Sequence, residues 1–334
     1  MRILVTGCGG FLGSEIVRQL IDRGDEVTGI SRRHYPDLVA NGMKHIQGDL
    51  TDSSFTRESI RDVDAVVHTA AVAGVWGPWE HFHSINTQAT HHVVDACQSA
   101  GIGTLVFTSS PSVTFNGNHQ RGVDESEPYA TNWLCHYPHT KALAEQHVLQ
   151  AHKLDVLNTC ALRPHLIWGD DDPHILPRMI DRAKSGRLRI VGSGDNKVDT
   201  VHVTNAAHAH VCAIDALQSR PEAAGGQAYF IAQDEPVDCW DWIAEICRIG
   251  NAPPPTKSIG FKTAYRIGAG LETLYRLTGR KSEPPMTRFV AAQLAHDHYF
   301  DITAAKENLG YSIRISMDDG LRSLSDSWSK NARV

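Results

Sequence analysis

The residues able to do chemistry fall into a few short groups. Tyr137-Pro-His-Thr-Lys141 places a phenol four residues before an ammonium. Side chains four apart on a helix share a face, so the two can act on one substrate atom. An ammonium beside a phenol lowers the phenol's pKa, which would let Tyr137 exchange protons near neutral pH. Among eight tyrosines such a spacing also arises by chance, so its position has to decide. It stands one helix beyond Thr108-Ser109-Ser110, at the end of an apolar run. A serine hydroxyl there can donate to a substrate oxygen; capping a helix or turn is its other use.

A second group opens the chain: Gly7-Cys8-Gly9-Gly10-Phe11-Leu12-Gly13, with glycines in the pattern T-G-x-x-G-x-x-G. Glycines let backbone N–H groups approach a pyrophosphate, and the start of a helix adds partial positive charge. At the end of the second apolar run stands Ser31-Arg32-Arg33, where an acidic residue would grip a ribose 2′-hydroxyl. A small hydroxyl and two guanidiniums suit a 2′-phosphate instead, so NADP(H) is expected ahead of NAD(H). Two solvated surface arginines would read the same way. Asp49, closing the third run, falls where a side chain could meet the adenine; an exposed turn aspartate is the other reading.

These groups need a scaffold that brings strand ends together. Apolar runs at 1–6, 26–31, 43–50, 64–71, 104–110, 156–162 and 228–232 alternate with helical spacing, including 85–99. Strands alternating with helices give an α/β fold, a Rossmann-like doubly wound parallel sheet. From about Trp168 the alternation loosens and prolines gather, as in a smaller C-terminal lobe over the sheet's carboxyl edge. The expected division is 1–167, receiving about 197–232, for the dinucleotide domain, and 168–196 with 233–334 for a substrate lobe and lid. The triplet Asp170-Asp171-Asp172 reads as a solvated loop. The stretch 259–277 reads as an amphipathic lid or core face, through Phe261, Tyr265, Leu271, Leu274 and Tyr275, with surface adsorption to a membrane as the alternative.

Composition narrows the partners. The chain has 334 residues, 41% hydrophobic and 21% charged, with net charge −6 and no basic run, which argues against nucleic acid. No apolar stretch reaches the ~18 residues that span a bilayer, so neither a signal peptide nor an anchor is expected. Seven scattered cysteines without a C-x-x-C pair suit reduced thiols in a cytoplasm. His81-x-His83 and His208-x-His210 have ligand-like spacing, but nothing completes a tetrahedral set, so no metal is assigned.

Thr6-Gly7-x-x-Gly10-x-x-Gly13, Gly48-Asp49-Leu50, His68-Thr69-Ala70-Ala71, Asn86, Thr108-Ser109-Ser110, Tyr137-x-x-x-Lys141 and Leu162-Arg163-Pro164 occur in that order. Together they resemble the extended short-chain dehydrogenase/reductase family. The later motifs Trp168-Gly-Asp-Asp-Asp-Pro173, Gly192-x-Gly194-x-Asn196, His202-Val-x-Asn205, Pro285-Met-Thr-Arg288 and Leu309-Gly-Tyr311 look like its 3β-hydroxysteroid dehydrogenase branch. That branch includes sterol-4-carboxylate 3-dehydrogenases and 2-alkyl-3-oxoalkanoate reductases. The resemblance implies Tyr137 as proton donor or acceptor, Lys141 as its partner and a ribose ligand, and Ser110 on the substrate oxygen. It implies cofactor contacts from Gly7, Gly10, Phe11, Leu12, Gly13, Ser31, Arg32, Arg33, Asp49, Leu50, Thr69, Ala70, Ala71, Asn86, Thr108, Pro164 and Leu166, with Pro164 and the two residues after it bordering the nicotinamide and Ser109 a lesser candidate for the substrate oxygen. A cytoplasmic homodimer is the expected assembly.

The function expected is NADP(H)-dependent interconversion of a ketone and a secondary alcohol on a bulky hydrophobic substrate, a β-keto or β-hydroxy acid or a 3-hydroxysteroid. Trp76, Trp79 and Phe115 are candidate substrate contacts, with ordinary core packing as their alternative. A nucleotide-sugar epimerase or dehydratase and a flavonoid-type ketone reductase share the same motifs. A non-catalytic dinucleotide sensor is a reading of another class; such proteins commonly lose the tyrosine or lysine that this chain keeps.

Overall fold

The computed structural model describes residues 1–331. Arg2–Thr6 (β1), Glu26–Ser31 (β2), Lys44–Gln47 (β3), Ala65–His68 (β4), Thr104–Thr108 (β5), Asn158–Pro164 (β6) and Ala228–Ile231 (β7) form one parallel sheet, ordered β7-β6-β5-β4-β1-β2-β3. The order reverses beside β1, which pairs with β2 on one side and β4 on the other. A crevice opens at such a reversal, outside the strands' carboxyl ends. Every residue of β4 and β5 is buried, because helices cover both faces and no position is left for a polar side chain.

The helices used below are Phe11–Asp22 (α1), Ala89–Ala100 (α2), His136–Gln150 (α3), Ile175–Lys184 (α4), Val203–Ser219 (α5), Cys239–Ile249 (α6), Phe261–Leu277 (α7) and Arg288–Ala295 (α8). α1 and α5 cover one face of the sheet through Ile16, Val17, Leu20, Ala206 and Ile214. α2 and α3 cover the other through Val93, Val94, Ala144 and Val148. A π-helical turn, His83–Gln88, precedes α2. Trp168, Leu176, Ile180, Trp240, Trp242 and Ile246 form the core of the remaining lobe, built on α4, α6 and α7.

The third and fourth strands are shorter than the apolar runs suggest. The ladder ends at Gln47 and His68, level with the ends of β2 and β1, and Leu50, Ala70 and Ala71 lie in the loops beyond. β6 starts at Asn158 because Val156 and Leu157 close a turn onto the Lys153 carbonyl, each through its N–H at 2.9 Å.

Two expectations about the second lobe are corrected. Asp172 is buried, not solvated: its carboxylate accepts from the N–H groups of His174 (2.8 Å) and Leu176 (2.9 Å), capping α4. Along α7 the inward residues are Ala264, Gly268, Glu272 and Tyr275, while Leu274 is 50% exposed. The cause is Glu272, which turns inward to accept from the Arg288 N–H at 2.7 Å and its Nε at 2.9 Å. A Cβ on Gly268 would stand 2.7 Å from the Thr287 backbone, so glycine is what allows this close approach.

Candidate active site

A cavity of about 960 Å³ runs along the carboxyl ends of β2, β1, β4, β5 and β6. At its centre β1 breaks into the glycine turn. Gly7 adopts φ +67° and its carbonyl accepts from the Gly10 N–H at 2.9 Å. A Cβ on Gly7 would press 2.8 Å from the backbone of Ala70, and one on Gly13 would sit 2.2 Å from the Gly7 carbonyl oxygen. α1 then starts with no side-chain cap and no acidic residue in its first turn. Its first N–H groups lack carbonyl partners within the helix and face the cavity, which is the donor set an anionic phosphate needs.

Beneath this turn the polar groups are locked. Thr69 Oγ1 donates to the Thr6 carbonyl at 2.7 Å, and Thr90 Oγ1 donates to the Asn86 carbonyl at 2.7 Å. His68 bridges Thr6 and Thr90 at 2.7 and 2.9 Å; burial pushes its pKa down to about 3, so the ring is neutral. Such a floor holds β1, β4 and α2 in register under the phosphate cradle.

At the β2 end, Ser31, Arg32, Arg33, Asp49 and Leu50 line the cavity. Neither guanidinium has a carboxylate partner among the described residues. Ser31 differs from expectation: its hydroxyl donates to the Arg33 carbonyl at 2.7 Å and pairs with His45 Nε2 at 2.8 Å. It therefore shapes the loop that presents the arginines instead of offering its own hydroxyl.

At the other end stand Ser109, Ser110, Tyr137 and Lys141. α3 begins at His136, so Tyr137 and Pro138 fall in its first turn, where proline's missing N–H costs no helical bond. Lys141 Nζ donates to the Thr108 carbonyl at 2.5 Å and lies 4.1 Å from the centre of the Phe107 ring. Burial pushes its pKa down to about 7, with Glu145 pulling the other way. The Tyr137 phenol is shifted up by burial, a shift opposed by its contact with Ser110. This reverses the expected direction for the phenol, because desolvation is the largest influence on it and only the Ser110 contact opposes it.

The support behind this pair is a buried ion pair. Arg163 Nη2 donates to Glu145 Oε1 at 2.6 Å and Arg163 Nε to Glu145 Oε2 at 3.1 Å, and the Tyr129 hydroxyl donates to the same carboxylate at 2.8 Å. Glu145 lies one turn beyond Lys141, so β6 is tied to the helix that carries the reactive side chains. Thr108 lines the cavity, but His210 takes its hydroxyl: Nδ1 of His210 donates to the Ala206 carbonyl, leaving Nε2 to accept from Thr108 Oγ1 at 2.8 Å.

Of the expected cofactor residues, Gly7, Gly10, Phe11, Leu12, Gly13, Ser31, Arg32, Arg33, Asp49, Leu50, Thr69, Ala70, Ala71, Thr108, Pro164 and Leu166 line this cavity. Asn86 does not. Its side-chain oxygen accepts from the Val72 N–H at 2.8 Å, and its amide nitrogen donates to the Val72 carbonyl and to Thr140 Oγ1. It braces the wall from behind. Ser110 lines the cavity, but the three aromatic residues expected at the substrate lie elsewhere. Phe115 is buried against Leu134, Phe289 and Ala292. Trp79 packs on His83 and His139. Trp76 lines a second cavity of about 630 Å³ with Trp133, Tyr275, Arg276, Arg280 and Arg288. Val75 lies on the wall of both cavities.

Residues not anticipated there include Tyr35, two positions past Arg33, and Ile175, Phe289 and Gln293, which the second lobe brings in from far along the chain. Ser109, the lesser of the two serines by the resemblance, has a buried Oγ without a hydrogen-bond partner and lies on the cavity wall. Leu166, also on the wall, holds φ +41° without being glycine; such strain collects where a site fixes the backbone.

A family model described as the 3-beta hydroxysteroid dehydrogenase/isomerase family matches residues 4–257. The chain is 45% identical over 327 residues to a 2-alkyl-3-oxoalkanoate reductase of Stenotrophomonas maltophilia, covering 97% of this chain and 98% of that protein. It is 32% identical over 325 residues to a sterol-4-alpha-carboxylate 3-dehydrogenase, decarboxylating, of Mus musculus, covering 96% and 89%. A solved structure of MoeE5 in complex with UDP-glucuronic acid and NAD has the same fold, with a TM-score of 0.75 and 24% identity over 99% of this chain and 100% of that one.

Proposed function

The chain belongs to the 3-beta hydroxysteroid dehydrogenase/isomerase family, a family of NAD(P)-dependent oxidoreductases, and we propose that it interconverts a β-keto acid and its β-hydroxy acid with NADP(H). One observation carries the proposal: a single trough joins the phosphate cradle of α1 to the Tyr137, Ser110 and Lys141 side chains. The α1 N-terminus would take the pyrophosphate, Arg32 and Arg33 a 2′-phosphate, and Lys141 the nicotinamide ribose. Bound NADP(H) supplies or accepts the hydride.

The protein's part is positioning and proton movement. The Ser110 hydroxyl, now paired with Ser112 Oγ at 2.8 Å, turns to donate to the substrate carbonyl oxygen. Tyr137 O–H donates to the same oxygen and delivers its proton as the alcohol forms. An ammonium on Lys141 stabilises the phenolate left behind. A lysine with its pKa near 7 can gain that charge when the phenolate appears. Val75, Ile85, Ile175 and Phe289 give the adjoining wall an apolar surface, which supports a hydrocarbon substrate. Both named relatives act on a carbon whose oxygen lies β to a carboxylate, which supports the acid.

A second reading has its own observation. Arg276, Arg280, Lys281 and Arg288 around the second cavity would suit a nucleotide-sugar diphosphate. Two of them already hold Glu272, Arg288 at 2.8 Å and Arg276 at 3.6 Å, and the higher identity lies with the reductase, so it stands second. Turnover with a long-chain 2-alkyl-3-keto acid, its methyl ester and a UDP-sugar separates the possibilities. The expected order is acid far above ester, with no reaction of the UDP-sugar. An ester used as well as the acid would overturn the carboxylate part, and turnover of the UDP-sugar alone the reductase part.

A further inference from the structure

A pair of buried histidines joins the second lobe to the wall of the main cavity. His165 follows β6, and its Nε2 lies 2.6 Å from His298 Nδ1; His298 Nε2 lies 2.6 Å from the Gln293 backbone carbonyl. That carbonyl sits in the last turn of α8 and has no helical donor, since the Asp297 N–H donates to His119 instead. The His165 ring is held edge-on by His298 and by Phe300, with centroids at 4.7 and 5.2 Å.

Hydrogen-bond chemistry fixes the proton positions along this chain. A carbonyl only accepts, so His298 Nε2 must carry a proton. Burial keeps His298 neutral, its pKa pushed down to about 4, and holds His165 well below its usual value too. The His298 Nδ1 is then a bare lone pair that accepts from His165 Nε2–H. His165, neutral with its proton on Nε2, is left with Nδ1 as a lone pair. Among the described residues Nδ1 has no donor, and His165 lines the cavity between Pro164 and Leu166.

A bare acceptor on a ligand cavity calls for a donor on the ligand. The trough runs from the arginines beyond β2, past the cradle after β1, to Lys141 beside β5, and His165 lies one strand further. A dinucleotide laid along it puts its nicotinamide at that end, and the carboxamide NH₂ is the donor it offers. We infer that His165 Nδ1 accepts a hydrogen bond from the nicotinamide carboxamide and so selects which way the ring lies, with the Gln293 carbonyl fixing the tautomer through His298. The inference rests on the dinucleotide reading above. It makes His165 a positioning residue toward the cofactor, reached through a lobe 128 residues further along the chain.

The test is binding, not turnover. Dissociation constants of NADP⁺ and of its 3-acetylpyridine analogue, whose methyl ketone has no N–H, are measured calorimetrically on the wild type. A preference for NADP⁺ of about 5- to 10-fold is expected, the worth of one hydrogen bond. In His165→Phe the preference should fall to within about 2-fold, and His165→Asn, which keeps an acceptor, should recover part of it. Equal affinities in the wild type overturn the inference without any variant, as does an unchanged preference in a folded His165→Phe. Failure of the wild type to bind either dinucleotide overturns the functional reading and this inference together, so the two failures are told apart.

Discussion

Lys141 should leave a signature in the pH dependence of stability that no other residue of the site shares. Its pKa in the native protein is about 7, against 10.5 for a free lysine side chain. Below pH 7 both native and unfolded chains carry the proton, and above about pH 10.5 neither does. Between these limits the unfolded chain binds one proton more, so native stability rises with pH by up to about 1.4 kcal/mol per unit. Lys141→Met removes the titration while keeping an apolar stem against the Phe107 ring. Urea unfolding of both proteins without cofactor at pH 7, 8 and 9 gives the stability difference, in which the histidines and carboxylates cancel. That difference should move in favour of the wild type by roughly 2–3 kcal/mol from pH 7 to pH 9. A flat or falling difference would refute the reasoning. It would mean that the Thr108 carbonyl and the Phe107 ring compensate the desolvation, leaving Lys141 an ordinary ammonium.

Tyr137→Phe should keep the fold and bind NADPH within about 2-fold of the wild type, while kcat falls by about 10²-fold or more, the scale of a lost general acid. Thermal melts and cofactor titration beside steady-state rates check it, and near-normal turnover would remove Tyr137 from the mechanism. Arg32→Ala should narrow the NADPH-over-NADH preference by about 1.5 kcal/mol, the lower end for a charge-assisted hydrogen bond at an exposed site. Dissociation constants for both cofactors decide it, and a wild type indifferent between them would leave the arginines in solvent.

What could be read from the residues alone follows how local the determining forces are. β4 and β5 are legible because strands covered on both faces must be apolar throughout, and Ala65-Val-Val and Leu105-Val-Phe have no other plausible home. The glycine turn is legible because the positive φ of Gly7 and the approach of Gly13 to the Gly7 carbonyl are both set within the turn itself. Strand ends were not, since the ladder with a neighbour sets where Lys44–Gln47 stops. Asn86 enters the cofactor set through the resemblance alone, and no local pattern tells that Val72 and Thr140 take both its N–H groups. Spacing places Leu274 inward, yet the Glu272 to Arg288 pairing takes the inner face. Trp76, Trp79 and Phe115 lie off the main cavity for the same reason. Which tryptophan meets a ligand depends on where the second lobe lies, and no periodicity encodes that.

The place of β7 at one edge of the sheet has a consequence during synthesis. Among the described residues it pairs only with β6, and α5, which covers the face shared with α1, also arrives after Pro164. A ribosome that has released residues up to 167 holds a sheet with six of its seven strands, an unpaired edge at β6 and one apolar face partly bare. Reaching residue 231 takes a further ~3–13 s at ~5–20 residues per second. For that interval the nascent chain presents both a hydrophobic surface and free strand hydrogen bonds, the two features that chaperones and aggregation compete for. Slowing elongation between residues 167 and 231 should lengthen that exposure, so substitutions there that do not alter the finished protein can still change how much of it is made.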